Sequence, residues 1–294
     1  MKRVLLAVHS ANHEIYQNNI KALIAGYEKV IKKHNLFVDV TTFCGTYDDP
    51  NHNYIEWSRS YSHEKEVADV LFDVMGRIVN LTNYDVIIKT NTNTVVNLPL
   101  IWEFCNSIHF NPNMMYTNVC YHIGDGYDMP FPSGMFIMGS HDVWKKVCDG
   151  KNDTLQWVEE HGVSESVYHT KEYADGKLVW AGYSDEFLIG ACLRRCGISI
   201  GTLMGTTLSM TKREFFSGII GHTLFDDVDT KYSCINCKMD IGNNLADLAL
   251  GSEQEIFRIQ YEHYMISLIC KIYELYNPAF QDVEWLYSRI RYCS

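Results

Sequence analysis

The first hundred residues alternate between two hydrophobic patterns. Val4–Val8 is an apolar run typical of a buried strand, and Leu36–Phe43 is a second strand rich in β-branched residues. Ser10 and Asn12 are candidate caps for a helix between these strands. The apolar positions of that helix recur at helical spacing and are Ile15, Ile20, Leu23, Ile24, Tyr27, Val30 and Ile31. A strand, a helix and a strand in this order predict a βαβ unit.

A second helix and a third strand continue this order. Apolar residues recur on one helical face from Val67 to Ile78, and Tyr84–Ile88 then predicts a strand. Strands that alternate with helices indicate a parallel sheet. Ligands bind beyond the carboxyl ends of such strands, which directs attention to His9 and Ser10 and to the segments Cys44–Asp49 and Lys89–Asn97.

Beyond residue 100 the pattern changes to short apolar runs. Met114–Tyr116 and Met135–Met138 are separated by Gly, Pro and Asp, as in a mixed sheet with long loops. A capping box at Ser252–Glu255 begins a last helix, which ends at Asn277–Pro278. We therefore predict a boundary near residue 100 and a helix near the end of the chain.

The composition and net charge exclude several classes of protein. The 294 residues are 47% hydrophobic and 21% charged, which excludes a wholly disordered, collagenous or coiled-coil chain. The 25 Lys+Arg against 36 Asp+Glu give a net charge of -11, so no nucleic-acid partner is expected. No apolar stretch is long enough for a transmembrane segment or a signal peptide, and the ten cysteines are scattered. We expect a soluble, cytoplasmic protein with reduced thiols.

Several phosphate-binding and hydrolase motifs are missing from the sequence. No Gly-x-Gly-x-x-Gly follows the first strand, and no Gly-Lys-Ser/Thr occurs, which argues against dinucleotide and P-loop enzymes. Ser133-Gly134 and Ser217-Gly218 lack the glycine pattern around a hydrolase serine.

A family resemblance begins at Tyr84–Leu98. This segment resembles the acidic-motif region of the inverting β-1,3-glycosyltransferases, the Fringe and β-3-galactosyltransferase group. The family has a strand, Lys-Thr, three aspartates, Thr, two apolar residues, Asn and Leu. This chain keeps that frame without a gap, but Asn91, Thr92 and Asn93 replace the aspartates.

Two further segments appear in the family's order. Phe131–Ser140, which contains Ser133-Gly134, resembles the Ser-Gly strand beneath the family's acceptor site. Ser184–Leu193 is similar to the family's Glu-Asp-Val-Tyr-Val-Gly-x-Cys-Leu helix, with Asp185-Glu186 in place of Glu-Asp. His222 lies where the family often has a late His. The resemblance covers about residues 3 to 225. It implies one domain over 1–225, with halves 1–100 and 101–225, and a helical extension over 226–294 that packs on it.

The resemblance implies a GT-A-like α/β fold, in which a Rossmann-like, nucleotide-sugar-binding half joins a mixed-sheet acceptor half. It implies an inverting hexosyl- or pentosyltransferase that uses a nucleotide sugar, with a UDP-sugar as the expected donor and a saccharide as the acceptor.

In-line attack needs a carboxylate base. Glu186 occupies the family's base position, and Asp185 is the second choice. Ser184 is expected to cap this helix. Acidic residues also occur in first helical turns merely to complement the helix dipole, and spacing alone does not separate the two interpretations.

The resemblance also supplies candidate binding residues. The predicted donor-binding residues are His9, Ser10, Lys89, Asn91, Thr92, Asn93, Lys212 and Arg213. The predicted acceptor-binding residues are Ser133, Gly134, Trp180 and Tyr183. Without the family context, Lys212-Arg213 is also compatible with a solvated surface pair, and the two aromatic residues with a core role.

Relatives offset the charge of the leaving diphosphate with a divalent metal, held by an aspartate and often a His. Here Asn93 and His222 are the corresponding ligands for Mn²⁺ or Mg²⁺. A neutral amide oxygen is a weak ligand for these cations, so we expect weak metal binding or none.

Two other functions fit the same residues. Loss of the acidic motif is compatible with a catalytically inactive GT-A-like module that binds a nucleotide or glycan. Retention of Asp185-Glu186 favours an enzyme over that module. An α/β interaction domain is the third interpretation, and it requires all three matched segments to be coincidental.

Overall fold

A computed structural model describes residues 1–10, 14–43, 67–92, 94–96, 98–117, 120–123, 129–134, 136–160, 168–174, 177–203, 207–210, 236–239 and 290–293. In this part of the chain the helices are α1 (Glu14–His34), α2 (Val67–Leu81), α3 (Leu98–Asn106), α4 (His141–Asp149), α5 (Lys151–Glu160) and α6 (Asp185–Arg195). The strands are β1 (Val4–His9), β2 (Val38–Phe43), β3 (Val86–Asn91), β4 (Thr94–Val96), β5 (Met115–Thr117), β6 (Cys120–Ile123), β7 (Met129–Pro132), β8 (Phe136–Ser140), β9 (Tyr168–Ala174), β10 (Lys177–Tyr183), β11 (Ile200–Leu203), β12 (Thr207–Met210), β13 (Asn236–Met239) and β14 (Ile290–Cys293).

A seven-stranded sheet is the centre of the fold, with the strand order β14-β11-β5-β8-β3-β1-β2. Strands β2, β1 and β3 are parallel, as the βαβ pattern predicted. Strand β8 then runs antiparallel to both β3 and β5, and β11 pairs parallel with β5. The predicted α/β class is confirmed, because a Rossmann-like parallel half continues into a mixed half.

Helices cover both faces of this sheet. Successive side chains of a strand point to opposite faces, and Val4, Leu6 and Val8 of β1 pack with α1 and α3. Leu5 and Ala7 face the other way and pack with α2, α4 and α6. Burial on both faces explains why β1 is a continuous apolar run rather than an alternating one.

Strand β3 differs from its predicted bounds in a way that affects the site. The sequence predicted a strand over Tyr84–Ile88, but β3 spans Val86–Asn91. Tyr84 lies before the strand, where its hydroxyl donates a hydrogen bond of 2.9 Å to Asp39 Oδ2. Lys89 and Asn91 are therefore strand residues with fixed directions, and not members of the following loop.

In the second half of the chain, two predicted strands are confirmed and the predicted last helix is not among the described residues. The apolar runs near residues 114–116 and 135–138 correspond to β5 and β8, as expected. The predicted last helix from Ser252 to Asn277 lies outside the described residues. Of the helices that the structure describes, none has the length and apolar character needed to cross a membrane.

Candidate active site

The carboxyl ends of β2, β1 and β3 meet at one edge of the sheet. The imidazole of His9 stacks on the Phe43 ring, with centroids 4.9 Å apart and planes 9° from parallel. The Ser10 N–H donates to the Phe43 carbonyl at 2.9 Å, and the Thr92 N–H donates to the His9 carbonyl at 3.1 Å. Four of the predicted donor-binding residues, namely His9, Ser10, Asn91 and Thr92, are thus brought together here.

Lys89 lies in the middle of the sheet with only 2% of its side chain exposed. It is in register with Ala7 of β1, and Ala7 faces α2, α4 and α6. The Lys89 ammonium donates to Asn91 Oδ1 at 3.1 Å and to the Gly134 carbonyl at 2.8 Å. It also lies 3.6 Å from Asp185 Oδ2. A buried ammonium requires such partners, because an unpaired buried charge is very unfavourable.

Ser133 and Gly134 connect β7 to β8. The sequence predicted one strand through this region, but β7 ends at Pro132 and β8 begins at Phe136. The Ser133 N–H donates to Thr117 Oγ1 at 3.2 Å. The connection therefore lies against the end of β5, beside Lys89.

Helix α6 begins at Asp185, with Ser184 at the N-cap position, as predicted. The backbone carbonyl of Ser184 accepts the first helical hydrogen bond, from the Leu188 N–H at 3.0 Å. The Ser184 hydroxyl, however, makes no capping hydrogen bond, so the predicted side-chain cap is wrong. The Asp185 carboxylate instead faces the Lys89 ammonium.

Glycine at position 190 sets how closely α6 approaches β7. A Cβ at this position would lie 2.9 Å from both Phe131 Cα and the Pro130 carbonyl oxygen. Both are backbone atoms, which cannot move aside as the end of a flexible side chain can. The close approach brings the first turn of α6 next to the connection that follows β7.

Glu186 meets that connection directly. Its Oε1 accepts a hydrogen bond of 2.6 Å from the Gly134 N–H, and the residue is half-buried. Position 134 has no room for a side chain, because a Cβ would lie 3.1 Å from Glu186 Cγ and 3.2 Å from Cδ and would overlap Oε1. A short hydrogen bond from a backbone N–H orients an ionised carboxylate.

Five of the predicted site residues are joined by polar contacts. Lys89, Asn91, Gly134, Asp185 and Glu186 form one connected set of polar contacts, which we call the Lys89 cluster. Ser133 adjoins it, and His9, Ser10 and Thr92 lie at the neighbouring strand ends. The other predicted residues fall outside the description: Asn93, Lys212, Arg213 and His222 entirely, and Trp180 and Tyr183 in their side chains.

Sequence reasoning missed two residues that shape the site. Thr117 holds Ser133 from the end of β5, and Phe43 supports the His9 ring. Each is the last residue of an apolar or β-branched strand, a position typical of an ordinary core residue. A polar residue at the carboxyl end of an apolar run was the available signal for Thr117, but the predicted ligand site included only the ends of β1, β2 and β3.

The described groups do not fit a divalent cation at the end of β3. Asn91 Oδ1, which replaces the first acidic oxygen of the family motif, already accepts from an ammonium. The nearby Asp185 carboxylate is paired with the same ammonium. No group of three or more His, Cys, Asp or Glu residues suited to a metal occurs in the described ranges, while the predicted ligands Asn93 and His222 lie beyond them.

Thiols lie behind the site, in the core between α4 and α6. Burial raises the pKa of Cys192 to about 11 and that of Cys148 to about 12. Both thiols therefore stay protonated near neutral pH, because the thiolate is poorly solvated in an apolar core. Cys196, at the end of α6, is exposed.

No family model matches this chain, and no curated protein matches it in sequence. Among solved structures, the chain is similar to the glycosyltransferase GlyE of Streptococcus pneumoniae TIGR4, with 12% identity and a TM-score of 0.46 over 92% of this chain and 63% of GlyE. The apo form of GlyE gives 10% identity and a TM-score of 0.44 over 93% of this chain and 63% of that chain. The chain thus spans less than two thirds of the length of these structures.

Proposed function

We propose that this chain is a GT-A-like glycosyltransferase that moves a hexosyl or pentosyl group from a nucleotide sugar to a saccharide hydroxyl with inversion. One observation carries the proposal. The three segments that resemble the Fringe and β-3-galactosyltransferase group are far apart in sequence, yet Lys89, Gly134 and Glu186 come together in one polar cluster. An α/β interaction domain gives no reason for these three segments to meet.

The two neighbouring carboxylates have different surroundings, which supports a division of roles. Asp185 is 13% exposed and provides the counter-charge of a buried ammonium. Glu186 is half-buried and is oriented through one oxygen by the Gly134 N–H. We therefore assign Glu186 as the general base and Asp185 as its structural neighbour.

The proposed reaction is a single displacement. The acceptor hydroxyl loses its proton to the Glu186 carboxylate while its oxygen forms a bond to C1 of the donor sugar. The bond from C1 to the phosphate oxygen breaks, and its electron pair leaves with the nucleoside diphosphate. Glu186 then releases the proton to solvent. Attack opposite the leaving group inverts the configuration at C1.

The donor is placed at the carboxyl edge of the parallel strands, where α/β folds bind their ligands. Backbone and side-chain groups of His9, Ser10, Asn91 and Thr92 line this edge. Asn93, Lys212 and Arg213 belong to the same proposed site, with a UDP-sugar as the expected donor. Ser133, Gly134, Trp180 and Tyr183 belong to the proposed acceptor side.

Weak metal dependence, or none, is part of the proposal. The Lys89 ammonium lies 3.1 Å from Asn91 Oδ1. A metal ion bound to the same oxygen would be close to this ammonium, and the two positive charges would repel each other. The proposed step therefore does not depend on a metal ion bound at Asn91.

A panel of nucleotide sugars tests the function. The wild-type chain is incubated with each donor and a mixture of saccharide acceptors, in Mn²⁺ and in EDTA, and nucleoside diphosphate release is measured. We expect release from one class of donor, and we expect it to persist in EDTA. Donor binding without any release would instead establish the inactive binding module.

The stereochemistry is read from the product. Proton NMR of the new glycosidic linkage gives its anomeric configuration, which we expect to be opposite to that of the donor. Retention of configuration would contradict the single displacement and the role of Glu186 as base.

A further inference from the structure

Lys89 has an unusual position for a residue of the donor site. The strand β3 places Ile87, Lys89 and Asn91 on one face of the sheet, since alternate residues share a face. At 2% exposure, the Lys89 side chain is buried, and its ammonium lies 3.6 Å from Asp185 Oδ2. Its hydrogen bonds go to Asn91 and to the Gly134 carbonyl.

Gly134 connects Lys89 to the proposed base. Its carbonyl oxygen accepts from the Lys89 ammonium at 2.8 Å, and its N–H donates to Glu186 Oε1 at 2.6 Å. The two bonds belong to one residue that has no side chain of its own. A displacement of this connection away from Lys89 therefore also displaces the hydrogen-bond donor of Glu186.

Lys89 also contacts the first turn of α6 directly, through Asp185. Asp185, adjacent to Glu186, lies 3.6 Å from the ammonium. The Ser184 hydroxyl does not cap the helix. The first turn of α6 is consequently held at two successive carboxylates, one facing Lys89 and one bonded to Gly134.

From these contacts we propose that Lys89 is a positioning residue, which orients the Glu186 carboxylate through Gly134 and Asp185 and does not bind the donor. This inference rests on the proposed function, because it assigns Lys89 a part in that reaction. Misplacing a base by about 1 Å can cost about a hundredfold in rate. Loss of Lys89 should thus lower kcat while the affinity for the donor stays the same.

The test compares Lys89→Met and Lys89→Gln with the wild type. Ile87→Ala is the matched control, since Ile87 lies two residues earlier on the same face of β3 and is also buried. For each variant, kcat, the dissociation constant of the nucleotide sugar and the thermal midpoint are measured. We expect kcat of Lys89→Met to fall at least about tenfold with an unchanged dissociation constant. Lys89→Gln, whose amide keeps a hydrogen-bond donor in this position, should retain more activity than Lys89→Met.

Two kinetic results would overturn the proposal. If the dissociation constant rises tenfold at unchanged kcat, Lys89 binds the donor. If Lys89→Met and Ile87→Ala lower the thermal midpoint by the same amount and also lower kcat by the same factor, Lys89 has only a structural role. Failure of wild-type turnover with every donor is a different result, and it counts against the proposed function.

A crystal structure of Lys89→Met tests the positioning role without any activity. We expect the distance between Gly134 N and Glu186 Oε1 to exceed 3.5 Å in the variant, beyond hydrogen-bond length. An unchanged distance in a folded variant would contradict the proposal even if the protein is not a glycosyltransferase. If Lys89→Met does not fold, the same distance is measured in Lys89→Leu, which also lacks a donor to the Gly134 carbonyl.

Discussion

Glu186 and Gly134, which are 52 positions apart in sequence, are joined by a hydrogen bond of 2.6 Å from the glycine N–H to the carboxylate Oε1. The contact requires a glycine, because any side chain at position 134 would occupy the space of the carboxylate. This hydrogen bond joins the first turn of α6 to the segment between β7 and β8. The proposed base is therefore held by the backbone of a different structural element.

Gly134→Ala should separate activity from stability. The added methyl group displaces the Glu186 carboxylate, which is the flexible end of a side chain, so the fold tolerates the change. We expect the free energy of unfolding to stay within about 1 kcal/mol of the wild type, while kcat falls by about a hundredfold. Urea unfolding and donor turnover are measured on the same preparation. Full activity in this variant would show that the contact with Glu186 is dispensable.

Gly190→Ala should lose stability as well as activity. Its methyl group meets the backbone of Pro130 and Phe131, which can yield only if α6 moves away from β7. Overpacking of this kind costs about 1–3 kcal/mol. The urea midpoint should fall, and activity should fall with it. A variant as stable as the wild type would mean that the helix and strand are less closely packed than described.

Gly76→Ala is the matched control for both variants. Nothing lies within 4 Å of a Cβ at position 76, in the middle of α2. Replacing a helical glycine by alanine in open space stabilises by about 0.5–1 kcal/mol. We expect a raised urea midpoint and unchanged turnover. A loss of stability here would indicate that alanine substitutions act through something other than the contacts at Gly134 and Gly190.

Asp185→Asn should be strongly destabilising, because it leaves the buried Lys89 ammonium without a charged partner. Breaking one side of a buried pair costs about 3 kcal/mol. The same substitution at Asp149, whose ion pair with Lys145 is exposed, should cost less than about 1 kcal/mol. Chemical denaturation of both variants measures the difference. Equal costs would show that the Lys89–Asp185 pair contributes no more than a surface pair.

The cysteines should differ in their reactivity. Burial raises the pKa of Cys105 and Cys148 to about 12 and that of Cys192 to about 11. A raised pKa lowers the thiolate fraction, and only the thiolate is alkylated. Iodoacetamide at pH 8 should therefore label exposed Cys196 and leave these three unmodified in the native protein. Peptide mass spectrometry measures the labelling, with urea-denatured protein as the control in which all four react. Native labelling of Cys192 would contradict its burial.

Much of the fold could be predicted because its first half is built from local patterns. The apolar run of β1 and the helical spacing of α1 and α2 follow from burial on two faces of one sheet. The antiparallel direction of β8 beside β3 could not be predicted in this way. Pairing between distant strands depends on the whole sheet, and no local period encodes it.

The residues of the candidate site could also be predicted only where local sequence patterns determine their position. The sequence placed Glu186 at the start of a helix and Asn91 near a strand end, and both locations are confirmed. It treated Lys89 as a cation that binds the donor, as the family resemblance implied. Its burial depends on partners at positions 134 and 185, which only the folded chain brings together.

Replacement of Glu186 by Gln tests the central claim most directly. The amide oxygen of Gln can still accept from the Gly134 N–H, so the geometry is kept while the proton acceptor is lost. Glu28→Gln is the matched control, since Glu28 is an exposed residue of α1, on the other face of the sheet. We expect Glu186→Gln to lower kcat by at least about a hundredfold with donor affinity unchanged, and Glu28→Gln to match the wild type. Wild-type kcat in Glu186→Gln would contradict the assignment of this carboxylate as the base.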